Sequence, residues 1–157
     1  MTYKAIEYKV TVYSDRTEWK NLNGLYHRED GPAIEWSNGD KSWWLNDKLH
    51  RENGPAYEYA DGFKEWYLNG KLHREDGPAI EYASGDKYWC LNGQYHREDG
   101  PAIEYADGSK SWYLNGRSLT EAEFIKATTK QVDCIDGKVV EIDGKQYKIT
   151  AVKKIKR

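Results

Sequence analysis

His27, His50, His73 and His96 are all the histidines of the chain, and each is followed by an arginine, a glutamate and then Asp or Asn. The strings are YHREDGPAI from Tyr26 to Ile34, LHRENGPA from Leu49 to Ala56, LHREDGPAI from Leu72 to Ile80 and YHREDGPAI from Tyr95 to Ile103. An imidazole beside a carboxylate can move protons, and the same pair can bind a divalent metal. Arginine adds a fixed fork that fits a carboxylate or a phosphate. Repetition argues against a reaction. A catalytic pocket is normally made once, whereas this string returns every 23 residues. If each unit contributes two strands, equivalent histidines lie about 9.5 Å apart. A zinc ion needs its nitrogens at about 2.0–2.1 Å, so neighbouring histidines cannot share one. We therefore expect no catalytic residue, no metal and no cofactor. His27, His50, His73, His96 and Arg28, Arg51, Arg74, Arg97 are read as a structural ladder. Each arginine pairs with Glu or Asp of its own or the adjacent loop, and each histidine bonds to backbone or carboxylate, holding stacked units in register.

The elements that position this ladder follow from the period. Units start at residues 10, 33, 56, 79 and 102; the first is worn and the last stops at Gly116. In AIEYASGDKYWCL, from Ala79 to Leu91, a Ser84-Gly85 turn separates two alternating runs, and Asn38-Gly39, Asp61-Gly62 and Asp107-Gly108 are its cognates. A two-residue turn predicts the pairs Ala83 with Asp86, Tyr82 with Lys87, Glu81 with Tyr88 and Ile80 with Trp89. One face then carries Ile80, Tyr82, Trp89 and Leu91, and the other Ala79, Glu81, Asp86, Tyr88 and Cys90. Asn69-Gly70 is a further turn signal, but three sheet strands per unit would reverse the chain in each successive copy. Two strands plus a folded-back NGKLHRED loop keep the direction, with Pro at the start of the next strand.

After Gly116 the pattern changes. Thr120 and Glu123 form a capping box with Leu119 and Phe124 as its hydrophobic staple, which predicts a short helix to about Thr129. VDCIDGKVVEIDGKQYKITAV then alternates around Asp136-Gly137 and Asp143-Gly144, predicting a small β-meander. The chain is thus read as mainly β: an elongated antiparallel β-hairpin repeat array over residues 1–116, closed by a helix-plus-meander cap over residues 117–157.

Composition narrows the function. A net charge of −2 with 32% charged residues gives no general drive toward nucleic acid or anionic membrane. No apolar run reaches a spanning length and MTYKAIEYKV lacks the apolar core of a signal peptide, so a cytoplasmic location is expected. Cys90 and Cys134 match no metal spacing, and Cys90 reads as drift at a tyrosine position rather than a nucleophile. The 7 Trp and 13 Tyr, against 2 Phe, suit half-exposed sheet faces and interfaces. Trp43, Trp66, Trp89 and Trp112 are expected on the isoleucine face, covered by the loops through Leu49, Leu72 and Tyr95. Trp44, Tyr67 and Tyr113 are expected on the opposite face as anchors for a protein partner.

Asn69-Gly70-Lys71, His73 and Tyr105-Ala106-Asp107-Gly108-Ser109-Lys110 resemble MORN repeats over about residues 10–116. The usual Tyr-x-Gly-x-Trp and His-Gly-x-Gly strings are not present. A closer likeness is to the His-Arg-Glu-Asp-Gly-Pro-Ala repeat proteins of phages, bacteria and large DNA viruses. The resemblance implies an elongated antiparallel sheet that binds protein, in some members lipid. It implies a non-enzymatic interaction module, such as a phage-encoded inhibitor or adaptor acting on a host defence protein. The alternative is a repeat protein binding a small ligand or phosphoinositide.

Overall fold

The structure, a computed structural model, describes residues 7–129 and the backbone of two later strands, Val139–Ile142 and Lys145–Lys148. The chain opens with β1 (Lys9–Val12) and β2 (Arg16–Lys20). Four units follow. They supply β3 (Ile34–Trp36), β4 (Lys41–Ser42), β5 (Trp44–Leu45) and β6 (Lys48–Leu49); β7 (Tyr57–Glu58), β8 (Lys64–Glu65), β9 (Tyr67–Leu68) and β10 (Lys71–Leu72). Then come β11 (Ile80–Glu81), β12 (Lys87–Tyr88), β13 (Cys90–Leu91) and β14 (Gln94–Tyr95); β15 (Ile103–Glu104), β16 (Lys110–Leu114) and β17 (Arg117–Leu119). Helix α1 spans Glu121–Thr128, and β18 (Val139–Ile142) pairs with β19 (Lys145–Lys148).

The main sheet is antiparallel and 11-stranded, in the order β1-β2-β3-β4-β7-β8-β11-β12-β15-β16-β17. Two strands per unit therefore enter it, as parity requires. The connecting segment of each full unit forms its own two-stranded ribbon: β5-β6, β9-β10 and β13-β14. The fold is the expected mainly β hairpin array with a C-terminal helix. The capping box is formed, with the Glu123 amide donating to Thr120 Oγ1 at 3.3 Å and the Thr120 amide donating to Glu123 Oε2 at 2.8 Å. Of the expected meander the hairpin β18-β19 is present; its earlier strand and the Asp143-Gly144 turn lie outside the described residues.

The sheet tips do not take the expected two-residue turn. At the sheet tip the Tyr82 amide donates to Asp86 O (3.0 Å) and the Gly85 amide to Tyr82 O (2.9 Å), so the loop has three residues, and only Gly85 takes a positive φ, 101°. This is a type I turn with a glycine bulge. The reason is visible in the cognate tips. Asp61 Oδ1 accepts from the Phe63 amide at 2.9 Å and Asp107 Oδ1 from the Ser109 amide at 2.8 Å, a local bond that holds the Asx residue right-handed. The two-residue turn belongs instead to the ribbons, where Asn69 (φ 52°) and Gly70 (φ 79°) are both left-handed.

One extra loop residue changes the register by one and turns the second strand over. Ile80 faces Tyr88, and Glu81 faces Lys87. Ile80, Tyr82, Tyr88 and Cys90 thus share one face, while Glu81, Lys87 and Trp89 share the other. The tryptophan row is not on the isoleucine face, as the two-residue turn predicted, and Trp44, Tyr67 and Tyr113 are. Between the faces run Ala33, Ala56, Ala79 and Ala102, each 0% exposed. Their backbones bond on both sides: the Ala56 amide donates to Glu65 O and the Trp43 amide to Ala56 O, each at 2.8 Å.

Candidate functional site

The face that carries the tryptophans is built by the repeated string. Arg28, Arg51, Arg74 and Arg97 lie over the rings of Trp19, Trp43, Trp66 and Trp89, with the guanidinium carbon 4.2, 3.8, 4.1 and 4.0 Å from the ring centre. The planar guanidinium stacks on indole and still offers donors at its rim. Arg74 donates from Nε to Asp76 Oδ1 (2.9 Å) and from Nη1 to Pro78 O (3.1 Å) and Glu81 Oε1 (2.8 Å). Arg97 repeats the set with Asp99, Pro101 and Glu104. The glycine of Gly-Pro-Ala lies against the guanidinium. A Cβ on Gly77 would stand 2.8 Å from Arg74 Cζ and push the arginine off the ring. The arginines, not the loops through Leu49, Leu72 and Tyr95, therefore cover the tryptophans. Leu49, Leu72 and Tyr95 stand opposite Trp44, Tyr67 and Cys90 on the other face. Trp112 follows the last string and meets Phe124 of α1 instead, with ring centres 4.7 Å apart and Phe124 buried.

The histidines join each unit to the next. His50 Nδ1 accepts from the Asn69 amide at 3.2 Å, His73 from Asn92 at 3.2 Å and His96 from Asn115 at 3.0 Å; His27 takes the Asn46 amide at 3.3 Å. The residue before the histidine accepts the neighbouring amide: Gly70 donates to Leu49 O and Gly93 to Leu72 O, both at 2.8 Å. The left-handed Asn-Gly turn aims two consecutive N–H groups backward, and the dipeptide before Arg receives both. An accepting Nδ1 leaves the proton on Nε2, which in His27 and His73 lies 3.5 and 3.6 Å from Glu29 and Glu75. Among the described residues no three His, Cys, Asp or Glu side chains converge as a metal site.

The other face is aromatic. Rings run from Trp36 to Tyr57 (5.6 Å), Tyr59 (4.1 Å), Phe63 (4.9 Å), Tyr82 (4.6 Å) and Tyr88 (5.4 Å). Tyr88 touches Tyr105 and Tyr95, and Tyr95 reaches Tyr113 at 5.3 Å. Tyr82 is 42% and Tyr105 37% exposed; the other rings are half-buried. Of the expected anchors, Trp44 packs against Tyr26 and donates to Ser42 Oγ at 2.6 Å. Tyr67 donates to Glu65 Oε1 at 3.5 Å, and burial with the nearby Glu65 charge pushes its phenol up to about 12. Trp44, Tyr67 and Tyr113 are thus on one face but spread along it. Cys90 takes the fourth equivalent position, is 1% exposed, and has its thiol raised to about 11 by burial, an environment that suppresses thiolate.

Two residues here escaped the sequence reading. Trp19 belongs to the arginine-covered row, but it stands eight residues before His27 where Trp43, Trp66 and Trp89 stand seven before theirs. The Trp-to-His interval would have found it. Glu65 is the other: once the register is known it falls on the tyrosine face, where burial raises its carboxyl above the ordinary range. Among the described residues no helix is long and apolar enough to cross a membrane. No protein-family model matches the chain, and no curated protein matches it significantly.

Proposed function

We propose that the chain is a non-enzymatic protein-interaction module, a MORN-like hairpin array that docks a protein partner on its tyrosine face. The observation that carries this reading is the ring chain from Trp36 to Tyr113, half-exposed along the length of the sheet. Tyr and Trp give large, stiff, amphipathic contact area and dominate interface energetics. Trp44, Tyr67 and Tyr113 serve as anchors together with Tyr82 and Tyr105. The likeness to repeat proteins of phages and large DNA viruses extends the proposal to an inhibitor or adaptor acting on a host defence protein in the host cytoplasm. A photo-crosslinking residue at Tyr82 or Tyr105 should trap one defined protein species in host cells, and the same residue at Glu75 or Glu98 on the loop edge should not. Equal trapping from both sites, or none from the tyrosine face, would refute the reading.

A second reading places a phosphoinositide or small ligand in the grooves between successive loops. One such groove is lined by Arg51, Trp66, His73 and Arg74. It ranks second because these guanidiniums already hold Pro carbonyls and carboxylates. It predicts co-sedimentation with phosphoinositide vesicles that weakens as salt rises.

A further inference from the structure

Glu65 is out of keeping with its surroundings. Equivalent sheet positions hold Glu18, Ser42, Tyr88 and Ser111, and of the two acids only Glu18 has cations beside it among the described residues. Glu65 stands directly between Tyr57 on one neighbouring strand and Ile80 on the other. Tyr67 Oη lies 3.5 Å from its Oε1, and the Tyr57 and Tyr59 rings are stacked beside it at 4.1 Å and 18°. Other acids at half-buried positions have compensating partners: Asp40 and Asp86 accept the Ala60 and Ala106 amides at 2.8 and 2.6 Å, and the glutamates have cations. Glu58, Glu81 and Glu104 on the loop face each hold an arginine at 2.7–2.9 Å, and buried Glu18 holds Arg16 at 2.6 Å and Lys20 at 2.9 Å. Among the described residues no Lys, Arg or His lies within ion-pair distance of Glu65.

We propose that Glu65, with the rings of Tyr57, Tyr59 and Tyr67, is the receptor for a lysine or arginine side chain of the protein partner. This rests on the tyrosine face being the docking surface and names the chemistry that the face selects. A half-buried carboxylate without a cation is a standing cost, and an incoming ammonium or guanidinium removes it. Tyrosine rings attract the same cation through their faces, and desolvation by the partner strengthens both terms. The charge that burial disfavours in the free chain becomes favourable in the complex, so the carboxyl falls back toward its ordinary range on binding. A partner presenting an acidic or purely apolar surface at this point would gain nothing from Glu65.

The test uses the full chain and simple probes: N-acetyl-arginine amide, N-acetyl-lysine amide, the neutral N-acetyl-citrulline amide, and tetramethylammonium chloride. Tyrosine ring proton shifts report binding in the wild type, in Glu65→Gln and in Glu65→Ser. Serine already occupies this position in two other units, so at least that variant is expected to keep the fold. The arginine and lysine probes should give saturable shifts at Tyr57, Tyr59 and Tyr67, weakened about five-fold in both variants. Citrulline should give none. Equal shifts with citrulline, or shifts unchanged in both variants, would overturn the proposal. Tighter binding of tetramethylammonium than of arginine would also overturn it, in favour of a small quaternary amine. In the crosslinking experiment, normal trapping from Tyr82 by the Glu65 variants would refute this site while leaving the docking face intact. Loss of trapping from wild-type Tyr82 would instead refute the face.

Discussion

The loop face and the tyrosine face are two sides of one sheet, and they treat repetition differently. On the loop face each His-Arg-Glu string sets its arginine over a tryptophan, and equivalent positions carry Trp43, Trp66 and Trp89 or Glu58, Glu81 and Glu104. On the tyrosine face equivalent positions carry Trp44, Tyr67, Cys90 and Tyr113, or Ser42, Glu65, Tyr88 and Ser111. The contrast has a physical cause. A side chain on the loop face meets the same groups in every copy, because the His and Asn-Gly contacts fix the pitch. Identical surroundings demand identical residues. The tyrosine face is held largely by ring contacts of 4.1–6.1 Å, which carry no fixed register of donors and acceptors from unit to unit. What lies above that face need not repeat, so its residues are free to differ.

Breaking the loop face should therefore cost far more stability than changing the tyrosine face. The largest loss is expected at the end of the row. Phe124→Ala uncovers Trp112 and should cost about 3 kcal/mol in chemical denaturation. Arg74→Ala removes the cover of Trp66 and three hydrogen bonds, for about 2 kcal/mol. Arg74→Lys should recover under half of that, since an ammonium can neither stack nor fork. By contrast Tyr82→Ser should cost less than about 1 kcal/mol, because the ring is 42% exposed. If the tyrosine change proved the more damaging, the division of labour between the faces would be wrong.

Smaller effects sharpen the contrast. His73→Ala leaves the Asn92 amide without its acceptor, at about 1 kcal/mol, and the loss should add across units only approximately because adjacent clasps share a ribbon. Glu65→Gln should stabilise the chain at neutral pH by under about 1 kcal/mol. The sign follows from a folded-state pKa raised above the unfolded value. Folding favours protonated Glu65, so the cost of its charge is absent below the unfolded pKa and complete above the folded one. The advantage of glutamine should thus vanish in acid, as thermal melts across pH would reveal. The smallest effect belongs to the second loop, where Asn53 replaces the aspartate that holds Nε in the other three. Asn53→Asp restores that pair and should gain about 0.2–1 kcal/mol, less at high salt.

The sequence alone determined the repeat, the antiparallel hairpins, two sheet strands per unit and the capped helix. Each of these follows from local rules: a 23-residue period, alternation, parity and the Thr120–Glu123 box. The tertiary structure decided which face each residue joined. Asn-Gly, Asp-Gly and Ser-Gly all signal tight turns, and the choice between two and three loop residues rests on small bonds, such as Asp61 Oδ1 to the Phe63 amide at 2.9 Å. A single residue of register then moves the row of Trp43, Trp66 and Trp89 from the isoleucine face to the arginine face, and Trp44 and Tyr67 the other way. The ladder was legible as charge pairs, but its main contact was not. Arg51 reaches Trp43 across a ribbon turn, and Gly54 leaves room for it only because the chain folds back there. Such contacts depend on through-space packing that periodicity does not encode. Trp44, Tyr67 and Tyr113 were legible as a row; that Glu65 would lie among tyrosines with no cation among the described residues required the register, because only the register says which strand positions meet.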